Sequence, residues 1–233
     1  MITKYATKHY EFHDAKAQAL ALAGQVADDL SGLLQTKEQV SLCVPGGSTP
    51  SLFFNALSQF DLEWQRVRVL LTDERWVPLD HPMSNEAQLR TQFVRNVATK
   101  VEVISFFDAT QPIDSAVETF NQALEHVLPV DICVLGMGDD GHTASLFPDM
   151  HGLQSALNGQ LPPALLPARI PNKQELRVSL NLSALLTAQR HYLLIKGSAK
   201  QAVILQASEK LNPKLPISYV LAACSVAVYY SEQ

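Results

Sequence analysis

Short, almost wholly apolar runs recur along the first two thirds of this chain, each separated from the next by a stretch long enough for a helix and too long for a hairpin turn. The runs are VSLCV (40–44), VRVLL (67–71), VEVISFF (101–107) and DICVLG (131–136). A strand that is apolar at consecutive positions is covered on both faces, and strands joined by helical crossovers run parallel. Residues 14–35 carry apolar side chains at helical spacing, and the pattern predicts further helices near 49–58, 84–96 and 112–128. The expected fold is α/β, a mostly parallel sheet flanked by helices in a Rossmann-like layered architecture. Beyond residue 148 the pattern loosens into a segment rich in proline and leucine. It then resumes with strand-like LRVSLN, a short helix SALLTAQ, strand-like HYLLIK, a helix SAKQAVILQAS and a last strand VAVYY. No repeat, linker or shift in composition marks a boundary, so one domain is expected over residues 1–233.

Composition excludes several classes of function. The N-terminal MITKYATKHYEF has no apolar signal core, and no later segment offers the roughly 18–20 apolar residues of a membrane helix, so a cytoplasmic protein without membrane contact is expected. The net charge of −5 is dispersed and no Lys/Arg cluster forms a nucleic-acid footprint. An anionic small molecule would therefore be held by a few local cations. Cys43, Cys133 and Cys224 are far apart in sequence and lie in or beside apolar runs, which fits reduced core residues rather than a zinc site.

In open parallel sheets ligands bind where strands end at their carboxyl side. Three of these ends carry unusual loops: PGGSTP (45–50), TDERWVP (72–78) and GMGDDGHTASLFP (136–148). Gly46 and Gly47 let backbone N–H groups approach an oxyanion, and Ser48 and Thr49 add hydroxyl donors. The alternative is a tight turn with Ser48 or Thr49 as a helix N-cap. Asp73, Glu74 and Arg75 gather charge at a strand end, either as a solvated loop or as a site in which the planar Arg75 cation meets an anion. Lys196, Lys200 and Arg177 are further cation candidates near strand ends.

Gly136, Gly138 and Gly141 spell G-x-G-x-x-G, the pattern of a dinucleotide-binding turn. That turn needs an acidic residue about 20 positions on to hold a ribose, but after Asp149 the next one is Glu175. Two carboxylates, Asp139 and Asp140, would also face the pyrophosphate. The loop fits chemistry better. His142 at a helix N-terminus would favour its neutral base form, with Asp140 orienting the ring.

Together, GGSTP (46–50), TDERWVP with Ser84-Asn85 after it, GMGDDGHTASLFP and KGSAK (196–200) resemble the 6-phosphogluconolactonases. That resemblance implies hydrolysis of 6-phosphoglucono-δ-lactone to 6-phosphogluconate, in the oxidative pentose phosphate pathway, without metal or organic cofactor. It implies His142 as catalytic base, with Asp73, Arg75 and Asp140 around it. It also implies a phosphate cradle of Gly46, Gly47, Ser48 and Thr49, with Lys200 as cationic partner and Arg177 as a substrate contact. The chain departs from the pattern at Pro45 and lacks a double proline ahead of Arg177. The related glucosamine-6-phosphate deaminases carry a glutamate before the proline that ends the histidine loop and a tyrosine after the Asp-Glu pair. Phe147 and Arg75 stand there in this chain. A noncatalytic sugar-phosphate sensor on the same fold is the remaining alternative.

Overall fold

The computed structural model describes residues 7–171 and 173–232. Its strands are β1 (Thr7–Phe12), β2 (Val40–Val44), β3 (Val67–Leu71), β4 (Asp73–Arg75), β5 (Glu102–Ile104), β6 (Ile132–Leu135), β7 (Leu165–Ala168), β8 (Arg177–Leu180), β9 (Arg190–Lys196) and β10 (Val226–Ser231). The helices are α1 (Ala15–Leu34), α2 (Ser51–Leu57), α3 (Asn85–Gln92), α4 (Ile113–Leu124), α5 (Leu153–Ala156), α6 (Leu182–Leu185), α7 (Ser198–Ala207) and α8 (Ile217–Ala223). A seven-stranded sheet in the order β1-β10-β9-β6-β2-β3-β5 is parallel throughout.

The apolar runs are central because both of their faces are covered. In β6, Ile132 and Val134 pack into one core, beneath α1, α2 and α3, while Cys133 and Leu135 pack into the other, beneath α4, α7 and α8. That alternation is the two-residue period of a strand read on both sides. The edge strand β1, with its exposed middle residues, gave no such run to find. Helix α3 is shorter than expected, ending well before Asn96, which takes a left-handed φ of 52°.

LRVSLN is a strand, β8, but not one of the parallel set. It lies between β4 and β7 in a separate antiparallel sheet of three strands. The charged DER segment is therefore not a free loop. It leaves the end of β3 and immediately pairs with β8, which places Arg75 directly opposite Arg177.

From β2 the chain steps outward to β3 and β5, then crosses back over β2 to build β6, β9 and β10 on the other side. At such a reversal the loops leaving neighbouring strand ends diverge and open a crevice. Here the diverging loops are PGGSTP after β2 and GMGDDGH after β6. Cys43 and Cys133, distant in sequence, are register partners on these same strands, free and buried. Burial pushes the Cys43 thiol well up, and Cys133 beside it adds to the effect. Cys224 is only partly buried, at the end of α8. No helix among the described residues is long and apolar enough to cross a membrane.

Candidate active site

A cleft of about 280 Å³ opens at this reversal. It is lined by Gly46, Gly47, Ser48, Thr49, Asp73, Arg75, His142, Arg177 and Lys200, together with Asn85 and Thr72. Every expected site residue but Asp140 is on its wall, and Asp140 holds His142 from behind. Lys196 lies elsewhere, exposed at the end of β9.

The glycine fingerprint has a geometric explanation that involves no nucleotide. A Cβ at Gly138 would fall 2.2 Å from the imidazole of His142 and 2.7 Å from Asp140 Oδ1. Gly141 has φ +75°, and a Cβ there would meet Leu215 at 2.8 Å. The loop is pinned to itself and its surroundings. Gly138 N–H donates to His142 O (2.9 Å), Thr143 Oγ1 donates to Gly136 O (2.9 Å), and Ile217 N–H donates to Gly141 O (2.9 Å). The glycines thus make room for the His142 ring and fix the backbone that carries it.

No helix begins at His142, contrary to expectation. The chain makes a tight turn instead, with a bridge between Thr143 and Leu146 and a left-handed Ala144 at φ 49°. Tertiary hydrogen bonds take the groups a helix would use: Ser145 N–H donates to Ser179 Oγ at 3.1 Å, and Ser145 Oγ to Asp73 Oδ2 at 2.5 Å. The orientation of His142 therefore comes from side chains rather than from a helix dipole. Its Nδ1 lies 2.5 Å from Asp140 Oδ1, and the same oxygen accepts the His142 backbone N–H at 3.1 Å. The ring stacks on Phe147, with centroids 3.8 Å apart and planes at 20°. Burial pushes the Asp140 carboxyl up, but its hydrogen bond to the His142 ring, with that ring's charge, outweighs burial and holds it below the ordinary value. The Asp140 carboxylate at Nδ1 thus fixes the orientation of the ring.

Asp73 is not placed as a free acid or base. Its Oδ2 accepts from Ser145 and its Oδ1 from Thr72 Oγ1 (3.0 Å), so it ties the end of β3 to the histidine loop. The buried Glu74 carboxylate accepts from the backbone N–H groups of Arg75, Asn85 and Glu86 and from Ser84 Oγ. It anchors the start of α3 to β4, although burial still raises its pKa.

Two arginines occupy opposed positions of an antiparallel pair, so both side chains leave the same face. Arg75 donates from one terminal nitrogen to Met83 O (2.7 Å), but its Nε has no partner among the described residues, and neither has the buried Arg177 Nε. Arg177 lies 5.4 Å over the Phe147 ring, on which His142 also stacks. Burial lowers the Arg177 pKa, and the charge of Arg75 lowers it further. Adjacent cations with unspent donors on a cleft wall are the environment an anion relieves.

Ser48 and Thr49 do not cap a helix. Pro50 is the N-cap of α2 and makes no side-chain capping bond. Gly47 has φ +88°, a turn that keeps the loop at the cleft. Among the described residues no group of three His, Cys, Asp or Glu side chains could hold a metal ion.

Residues 13–229 match the family model of glucosamine-6-phosphate isomerases and 6-phosphogluconolactonases. The chain belongs to this family. It is 38% identical to a 6-phosphogluconolactonase of Neisseria meningitidis serogroup A, over 96% of this chain and 98% of that protein. A 6-phosphogluconolactonase of Pseudomonas aeruginosa is 39% identical over 82% of this chain and 80% of its own length. The crystal structure of a 6-phosphogluconolactonase from Shewanella baltica superposes with a TM-score of 0.91 at 32% identity, covering 99% of each chain. A monomeric glucosamine-6-phosphate deaminase shares the fold, with a TM-score of 0.77 over 96% of this chain and 97% of its own at 17% identity.

Asn85, which lines the cleft, Ser145, bonded to Asp73, and Phe147, stacked on His142, were left without a role by residue-by-residue reading. Phe147 was legible only as a departure from the deaminase pattern. The structure makes it the platform of the His142 ring.

Proposed function

We propose that the protein hydrolyses 6-phosphoglucono-δ-lactone to 6-phosphogluconate. The observation that carries this reading is the Asp140–His142 pair, 2.5 Å apart, on a cleft whose other walls are a glycine-rich cradle and two arginines with unspent donors. Nε2 of His142 takes a proton from water as the water oxygen attacks the lactone carbonyl carbon. Negative charge on the carbonyl oxygen develops in a cleft lined by arginine donors and backbone N–H groups. Collapse of the tetrahedral intermediate breaks the bond to the ring oxygen, which takes the proton back from His142. Asp140 keeps the imidazole in one tautomer and stabilises its cationic form. Residues 46–49 and Lys200 hold the phosphate.

The deaminase alternative lacks its glutamate, because Phe147 occupies that position and stacks on the base. The direct test is hydrolysis of freshly generated 6-phosphogluconolactone, corrected for spontaneous opening. Purified protein that adds nothing to the background would return the site to a sensor or deaminase role.

Lys200 supplies a second prediction. It lines the cleft from the first turn of α7 and makes no ion pair among the described residues. Lys200→Ala is expected to raise KM for the phosphorylated lactone by about tenfold, the loss of roughly 1.5 kcal/mol from one charge-assisted hydrogen bond. Hydrolysis of unphosphorylated gluconolactone should be slow in the parent enzyme and scarcely altered by the substitution. Both substrates are measured on both proteins at matched ionic strength. An equal loss on both would remove Lys200 from the phosphate site.

A further inference from the structure

Asn85 is 2% exposed and lines the cleft, and its side-chain amide is only half used. Nδ2 donates to the backbone carbonyl of Asp73 at 3.0 Å, which fixes the amide the right way round, since a carbonyl oxygen accepts only from the nitrogen. Oδ1, thereby identified as the oxygen, is buried and has no hydrogen-bond partner among the described residues. The residue cannot turn away to find one. Its backbone N–H is held by Glu74 at 2.8 Å, and Gly46 packs so closely that a Cβ there would lie 2.0 Å from Asn85 Cγ.

A buried acceptor left unsatisfied costs free energy in the empty enzyme, and that cost is recovered when a ligand brings the missing donor. At neutral pH the phosphate of the proposed substrate offers mainly acceptor oxygens, as do the lactone carbonyl and ring oxygen. Its hydroxyl groups are the donors. We propose that Asn85 is a specificity-determining residue whose Oδ1 accepts a hydrogen bond from a hydroxyl group of the sugar lactone. In this arrangement one loop grips the phosphate while the asparagine beneath it checks that a hydroxylated carbon chain is attached.

This inference rests on the lactonase reading, and its test separates the two. The kcat/KM of wild type and Asn85→Ala is measured on 6-phosphogluconolactone and on its 2-deoxy, 3-deoxy and 4-deoxy analogues. Asn85→Ala is expected to lose about 10- to 10²-fold on the parent lactone and little on the one analogue that lacks the partner hydroxyl, because a site built around a hydroxyl rejects its absence. Ratios between substrates on one protein do not depend on how much of it is folded, so partial destabilisation cannot imitate the result. If the alanine variant fails to fold, Asn85→Asp, which keeps an acceptor oxygen, is expected to retain the preference for the hydroxylated substrate. The same loss on all four substrates, or an Asn85→Asp enzyme indifferent to every hydroxyl, would overturn the assignment. If wild type hydrolyses none of the lactones, the lactonase reading fails instead. Calorimetric titration of 6-phosphogluconate and its deoxy forms then makes the same comparison by binding alone, with affinity lost for one deoxy form supporting the Asn85 contact and equal affinities for all overturning it.

Discussion

Replacing His142 with alanine is expected to lower kcat for the phosphorylated lactone by about 10²- to 10⁴-fold, the usual contribution of a positioned general base, while leaving the affinity for 6-phosphogluconate largely unchanged. The division follows from the geometry. His142 lines the cleft, and the cradle, Lys200 and the two arginines reach it from other elements. Gly138→Ala gives a finer version of the same test. The imidazole remains, but the new methyl group would lie 2.2 Å from it and 2.7 Å from Asp140 Oδ1, so the ring must shift off its acceptor. Displacement of a catalytic group by about 1 Å can cost on the order of 10²-fold, so this variant should be impaired without being as inactive as the one lacking the base. Single-turnover kinetics on fresh substrate, with product binding measured separately, checks both. A His142→Ala enzyme with near-normal turnover would place the base elsewhere in the cleft.

The parallel scaffold was legible because its central strands are covered on both sides, which leaves uninterrupted apolar runs. What escaped was structure set by contacts between distant segments. DER looks like a solvated loop until β8 is laid beside it, and nothing within either segment announces that Arg75 and Arg177 will face each other. Edge strand β1 exposes most of its side chains, so it lacks the run that marked the others. Helix α8, short and entered through Pro213 and Pro216, was hidden by residues that usually signal irregular chain. The candidate site was legible as three polar loops because strand ends of one sheet converge. The role of Asn85 was not, because it exists only where Gly46 comes to rest against it.

The opposed arginines predict a trade between stability and binding. Like charges directly across an antiparallel pair are unfavourable, Arg177 is only 8% exposed, and both buried Nε groups are unpartnered. In the unliganded enzyme these are costs that the Arg75–Met83 bond and the nearby charges of Asp73, Glu175 and Glu74 offset only in part. Arg177→Met removes the charge while keeping a flexible side chain able to contact the Phe147 ring. It is therefore expected to raise the melting temperature of the unliganded enzyme by roughly 1–4 °C, from relief of up to about 1 kcal/mol in a chain of this size. The same variant should lower kcat/KM for the phosphorylated lactone by about 10- to 10²-fold, since a hydrogen bond to a charged group contributes roughly 1.5–3 kcal/mol. It should also shrink the upward shift in melting temperature that 6-phosphogluconate gives the parent, because a ligand stabilises only as far as it binds. Melting curves with and without that ligand, alongside steady-state kinetics, test the three effects together. A variant that melts lower than the parent yet keeps the full ligand shift would make Arg177 a structural residue, and the anion would then be held by Arg75, Lys200 and the cradle without it.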